Sequence, residues 1–246
     1  SEGYHYVNGL NAGPLEKGNA MRVLIGVICL LAAQAAEANT TPEQRTQKAT
    51  TVLKEMSAIP ENSIPERLLA EAYAIAIVPD LAKAAFIFGG RGGKGLISVR
   101  DKDGAWTNPN FINVGGGSFG FQAGVQSSDL ILVFTSKDGV DSIIKGKFTL
   151  GADAGVAAGP VGRNVQASTD QNFKAEIYSY SRSKGLFAGV SLDGTGITID
   201  RKANETIYGD MASPASIFDG RTQTQNQAVI DFRNQLEEGS SRQAKK

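Results

Sequence analysis

The sequence predicts a single α+β domain: a curved or barrel-like antiparallel sheet flanked by N- and C-terminal helices. Three observations predict it. Apolar residues recur at helical spacing near both ends of the chain beyond residue 40. Period-two alternation broken by glycine fills the region from residue 83 to 200. No Pro/Ser-rich linker divides the chain, and with 41% apolar residues it is long enough to bury a real core. Glycine, 29 of 246 residues, runs well above the usual ~7%. With only 8 prolines and no repeat, that surplus points to tight turns and close packing.

From Met21 the chain reads MRVLIGVICLLAAQAAEA. Arg22 precedes an apolar run from Val23 to Ala33, and small residues follow with Ala36-Glu37-Ala38. This is the order of a secretory signal peptide cleaved after Ala38. The run is shorter than the ~20 apolar residues that span a bilayer. Cys29 lies inside it without a lipidation box, and residues 1–20 lie upstream of the expected initiator. The expectation is export to a bacterial periplasm or outer envelope, or secretion.

Beyond the signal, Thr41-Pro42-Glu43-Gln44 predicts a helix start with a capping box. Ala49, Val52, Leu53 and Met56 share one face, and Pro60 ends the helix. Ser63-Ile64-Pro65-Glu66 starts a second helix that runs through Leu68, Leu69 and Ala72. Ala74–Val78 suits a short strand before Pro79. Ala85–Gly89 and Leu96–Arg100 read as a hairpin across a Gly-rich link, and Asp101–Gly104 as a turn. Phe119–Gln126 and Leu130–Thr135 pair across Ser127-Ser128-Asp129. Ser136 caps a helix over Asp138–Lys145. Phe148–Ala157, Lys174–Ser181, Gly185–Leu192 and Gly196–Asp200 supply further strands. Gln223–Glu238 closes as an amphipathic helix through Val229, Ile230, Phe232 and Leu236. In Lys174–Ser181, period two sets Tyr178 and Tyr180 opposite Ile177 and Ser179, with the rings over close-packed glycine backbone.

The only histidine is His5 and the only cysteine Cys29. A chain cleaved after Ala38 therefore has no thiol chemistry, no disulfide, no His/Cys zinc site and no Ser-His-Asp triad. The formal net charge is +0, which gives no global field for nucleic acid. Gly116-Gly117-Ser118-Phe119-Gly120 matches a nucleophile elbow, and Gly115, Gly117 and Gly120 match G-x-G-x-x-G. Both motifs need a helix where this sequence continues as strand. Gly89–Gly95 lacks the first Gly and the Ser/Thr of a Walker loop. Asp101-x-Asp103 lacks the closing Glu of a calcium loop, with Ile112 in its place. Asp193 and Asp200 carry no paired-acid motif. Carboxylate, lysine or tyrosine chemistry stays open, and no cofactor is expected. The basic Gly-rich segments around Arg91 and Lys94, Gly159–Arg163 and Ser183-Lys184-Gly185 can bring backbone N–H groups close to an anion. Ordinary hairpin turns with solvated charges are the alternative for any one of them.

The run Ala76-Ile77-Val78-Pro79, with Lys83 and the Gly-rich segment to Gly95, resembles the opening of the SYLF domain. Trp106, Pro109, Gly120-x-Gln122-x-Gly124 with Asp129, and Gly159-Pro160-x-Gly162-Arg163 continue the likeness. Tyr178-Ser179-Tyr180-Ser181-Arg182-Ser183-Lys184-Gly185 through Val190, then Asn204, Tyr208 and Gly209, complete it. The resemblance spans roughly residues 63–220. It implies a lipid-binding module: eukaryotic members bind phosphoinositides (phosphatidylinositol binding), some yeast members bind and bundle actin, and bacterial members are exported. Nothing in the family implies an enzyme. The first helix, with Glu43, Arg45, Lys48, Lys54 and Glu55, has a mixed rather than polybasic face.

The chain thus divides into an upstream segment 1–20, a signal peptide 21–38, an N-terminal helix 39–62, a SYLF-like domain 63–220 and a C-terminal helix with charged tail 221–246. The expected partner is an anionic phospholipid headgroup or membrane surface, touched by Lys83, Arg91, Lys94, Arg163, Arg182 and Lys184. Arg163 leads this set, since a guanidinium beside Gly159 and Gly162 meets a phosphate bidentately. Its alternative is an ion pair with Asp129 or Asp153. A protein partner docked on the Gly-rich sheet is the alternative function, as in an actin-binding-like or structural envelope component; no nucleic acid is expected. Exported protein should begin at Asn39. Mass spectrometry that found Met21 retained, or a lipid on Cys29, would refute this processing.

Overall fold

A computed structural model of the chain describes residues 40–58, 64–85, 88–119, 124–146, 148–161, 174–183 and 186–241. The segments 1–20 and 21–38, Pro60, Ser63, Arg163 and Lys184 lie outside the described residues.

Helix α1 (Pro42–Ala58) starts as its sequence dictates. The Gln44 amide donates to Thr41 Oγ1 at 3.2 Å, and the Thr41 amide donates to Gln44 Oε1 at 3.0 Å. Ala49, Val52, Leu53 and Met56 are all buried. Helix α2 (Glu66–Ala70) is shorter than expected. The Tyr73 amide already donates to the Phe134 carbonyl at 2.8 Å, so sheet pairing claims the chain before a second turn can form.

The sheet has nine strands: β1 (Ala74–Ala85), β2 (Phe88–Val99), β3 (Asn110–Phe119), β4 (Gly124–Phe134), β5 (Phe148–Thr149), β6 (Val156–Ala158), β7 (Ile177–Ser183), β8 (Leu186–Gly189) and β9 (Thr195–Ile199). Their order is β5-β9-β3-β2-β1-β4-β7-β6, with β8 beside the outer end of β7. The sheet is strongly curled, an open half-barrel. β6 pairs with β7 in parallel, a departure from the expected antiparallel arrangement.

Helices α3 (Asp138–Lys145), α4 (Arg201–Tyr208), α5 (Pro214–Phe218) and α6 (Gln227–Ser241) are the other helices among the described residues. Alternation along the strands sorts the core into two layers. Ile75, Ile77, Leu96, Phe111, Ile131, Val133, Tyr178 and Tyr180 pack beneath α1, α2, α4 and α6. Ala74, Ala76, Val78, Ile97, Ile112, Leu130, Leu132 and Phe134 form the inner face, against α3, α5 and β5. Residues 190–194 join β8 to β9, which lie on opposite flanks of the central strands, and cross the inner face as a strap. Leu192 on the strap is buried in the inner core.

Several sequence-based boundaries are corrected. Gly89–Gly95 is not a turn but half of β2, paired with β1 on one side and β3 on the other. The reason is close approach. At Gly93 a Cβ would stand 2.8 Å from Val78 Cγ1, and at Gly95 it would overlap the Ile77 carbonyl oxygen. β1 likewise does not stop at Pro79. Pro79 has no N–H to give, and a bulge carries the strand past it. Asp80 sits there at φ 52°, a left-handed conformation that Asp tolerates better than most residues. Ser127-Ser128-Asp129 lies inside β4 rather than in a turn, paired opposite Ala82 and Leu81. Phe148–Ala157 breaks into β5 and β6 around Gly151, at φ 83°. Lys137, not Ser136, takes the N-cap of α3, with no side-chain cap. α6 begins at Gln227 instead of Gln223, where Asn226 Oδ1 accepts from the Val229 amide. Helices α4 and α5 were not expected; Asp200 caps the first, and Ser213 with Ser216 forms a capping box on the second.

The tyrosine strand matches its expectation. Tyr178 and Tyr180 are buried together, and Tyr180 stands opposite Gly189 with Gly159 against its ring. Gly95→Ala should lower stability by about 2–4 kcal/mol, because backbone must move to admit the methyl group. Gly90→Ala, whose Cβ would meet only the Gly116 carbonyl oxygen at 3.9 Å, should change it by less than about 0.5 kcal/mol. Urea unfolding of the two variants tests the contrast.

Candidate anion-binding cleft

A cleft of about 720 Å³ opens on the inner face between the sheet and the strap. Its floor comes from β1, β2, β4 and β7, through Leu81, Arg91, Ser128, Leu130, Ser181 and Ser183. Its cover comes from Val190, Ser191 and Leu192. Period two puts Arg91, Gly93 and Gly95 on the same face of β2. The space over the two glycines is filled by Val78 and Leu81, and Arg91 stands beyond them at the cleft. Its Nη1 reaches the Ser191 carbonyl oxygen on the strap at 3.3 Å. Its Nε is buried and has no hydrogen-bond partner. Burial pushes the guanidinium below its usual pKa, and Asp193 opposes that shift; the group stays a cation. A half-buried guanidinium with an unfilled donor, ringed by serine hydroxyls, suits a phosphate or carboxylate.

Of the four sequence-predicted residues that lie among the described ones, Lys94 and Arg182 take the helix-facing side of the sheet, and Arg91 the other. Lys94 lies three positions from Arg91 and so faces the helices, beside Arg45, Lys48 and Asp80. Lys83 takes the position on β1 opposite Arg91. Arg182 also faces the helices and is engaged in ion pairs. Its Nε and Nη2 donate to Asp129 Oδ2 at 2.8 and 2.6 Å, and its Nη1 pairs with Glu55 of α1. Asp129 Oδ1 accepts from the Asp80 amide at 3.1 Å, and Lys48 of α1 pairs with Asp80 at 2.7 Å. Burial raises the Asp129 pKa, against the Asp80 amide and Lys48. Arg182, Asp129 and Asp80 thus bind α1 to the bulge, and Asp129, one of the two partners considered for Arg163, pairs with Arg182.

Other residues of the family-like pattern also hold structure. Asn204 accepts from the Phe111 amide at 2.9 Å and donates to Asn110 Oδ1 at 2.9 Å. The Tyr208 hydroxyl donates to the Pro109 carbonyl oxygen at 2.7 Å. Sequence reasoning missed the cleft serines. Their signal was present in the alternation Ser179, Ser181, Ser183, a polar row on a strand whose other face carries Tyr178 and Tyr180.

The curled sheet, with α1, α2, α4 and α6 on one face and a cationic cleft beside α3 and α5 on the other, defines an α+β scaffold. The chain belongs to the Ysc84, or SYLF, family: the family model described as "Ysc84: Las17-binding protein actin regulator" matches residues 115–238. The chain is 40% identical to LAS seventeen-binding protein 3 of Saccharomyces cerevisiae over 161 residues, 64% of this chain and 35% of that protein. It is 35% identical to SH3 domain-containing YSC84-like protein 1 of Xenopus laevis over 173 residues, 68% of this chain and 51% of that one. The human protein of the same name is 35% identical over 191 residues, 70% of this chain and 55% of that one. The chain thus spans between a third and about half of the length of these relatives.

The two arginines should behave differently on substitution. Arg182→Met leaves Asp129 without its guanidinium and should lower stability by about 2–3 kcal/mol, below the range for fully buried pairs. Arg91→Gln should shift the urea midpoint little, since it removes one bond to the strap. Denaturation curves for both variants check the assignment.

Proposed function

We propose that this domain is a non-enzymatic lipid-binding module that recognises the anionic, phosphoinositide-like headgroup of a phospholipid. The observation that supports it is Arg91, a cation held in a hydroxyl-lined cleft with a buried Nε and no protein partner for that atom. With formal net charge +0, attraction to an anionic surface has to come from such a local group. The signal-like order of residues at 21–38 supports a reading in which the module works in the bacterial envelope or outside the cell. A second reading, a protein partner docked on the sheet, is favoured by the name of the yeast relative, a LAS seventeen-binding protein.

Co-sedimentation with phosphatidylglycerol vesicles at low salt tests the first reading, with phosphatidylcholine vesicles as control. A surface cation is worth about 1 kcal/mol at an anionic membrane, so Arg91→Gln should weaken binding by about fivefold. Lys94→Ala, on the opposite face of β2, should leave it nearly unchanged. Equal sedimentation with both lipids, or none with either, would turn the assignment toward the protein partner.

A further inference from the structure

We propose that the inner cleft takes a single acyl chain together with its anionic end, so that the ligand enters the protein as a monomer rather than being touched at a membrane. This rests on the reading of Arg91 as the anion site and names the ligand class more narrowly. Arg91 lies toward the ends of the central strands, two positions beyond Gly93, against which Leu81 lies. Two positions further in, Val78 pairs with Leu130. The cleft floor carries apolar and hydroxyl side chains side by side, with Leu81 opposite Ser128 and Leu130 opposite Ser181. Val190 and Leu192 of the strap add apolar cover.

From Arg91 to the Leu130 level is about four residues of strand, or about 13 Å at 3.3 Å per residue. The cavity, about 720 Å³, falls within the ~300–1,000 Å³ usual for small-molecule sites. It is far larger than a phosphate needs. A ligand that is anionic at one end and apolar at the other satisfies the free Nε and lies along the leucines. A purely polar headgroup satisfies only the first. The shared chemistry is an alkyl chain that ends in a carboxylate or a phosphate.

The experiment uses the full chain and the fluorescent fatty acid cis-parinaric acid, displaced in turn by laurate, 1-lauroyl-lysophosphatidate and dodecanol. Binding of one probe per chain is expected, with at least one of the two anions displacing it at least tenfold better than the alcohol. The better anion identifies the carboxylate or phosphate source. Arg91→Gln should abolish the preference for anions, and Ser128→Trp should block the probe. Ser183→Trp, at an exposed position, should also weaken the probe if Ser128→Trp fails to fold. Absence of probe binding, or binding indifferent to Arg91→Gln and to the tryptophans, overturns the proposal. If the probe fails while Arg91-dependent vesicle sedimentation persists, the acyl-chain site falls and headgroup recognition stands. If both fail, both fall.

Discussion

The shape of this protein depends on how closely the bulged backbone of β1 passes over Gly93 and Gly95 of β2. A side chain at Gly95 would meet the Ile77 carbonyl, so the two strands can lie as they do only because β2 is bare there. The extra residue at the bulge bends β1 and increases its twist. In a sheet whose central strands bend in this way, the flanks come round toward each other. The strap between β8 and β9 then has a short path across the inner face, and Arg91 can reach it. Curl, cleft and cation therefore share one origin in the glycine content of a single strand.

The bulge has a polar cost that the rest of the molecule meets. The Asp80 amide, turned out of the regular ladder, donates to Asp129, and Asp129 is in turn held by Arg182. Both ends of this chain of charges are tied to α1, through Lys48 and Glu55. Arg45 of the same helix pairs with Asp200, the cap of α4, and lies over the Phe111 ring. Of the charged residues of α1, Arg45 is buried, while Lys48 and Glu55 reach the sheet from exposed positions. They clamp the helix layer to the strained point of the sheet.

Much of this was legible in the sequence where the causes are local. The capping box at Thr41 and Gln44, the buried stripe of α1 and the alternation of Tyr178 and Tyr180 need only neighbouring residues. The glycines of β2 and β3 were misread because glycine serves both tight turns and strands crossed at close range. Only the third dimension separates the two uses. Once 88–99 is known to be a strand, the opposite facing of Arg91 and Lys94 follows from counting. The commitment of Arg182 does not, since Asp129 is 53 positions away in the chain and Glu55 lies on another element. Helices α4 and α5 carried cap residues at Asp200 and Ser213, but too few apolar positions to stand out from the strands around them.

The strand order also says something about how the chain can assemble. The two strands made first, β1 and β2, occupy the middle of the sheet, and β3 and β4 add to their outer edges. β7 and β9 extend those edges in turn, while the short β5 and β6 have nothing to pair with until they arrive. During synthesis each long strand would therefore emerge to find its template already in place, and the sheet can grow outward from its centre in the order in which it is translated. The strap can close only once β8 and β9 have both been made, and α6 packs on α1 later still. Before the strap closes, the leucines of the cleft floor face solvent, which leaves that stage of folding exposed to self-association.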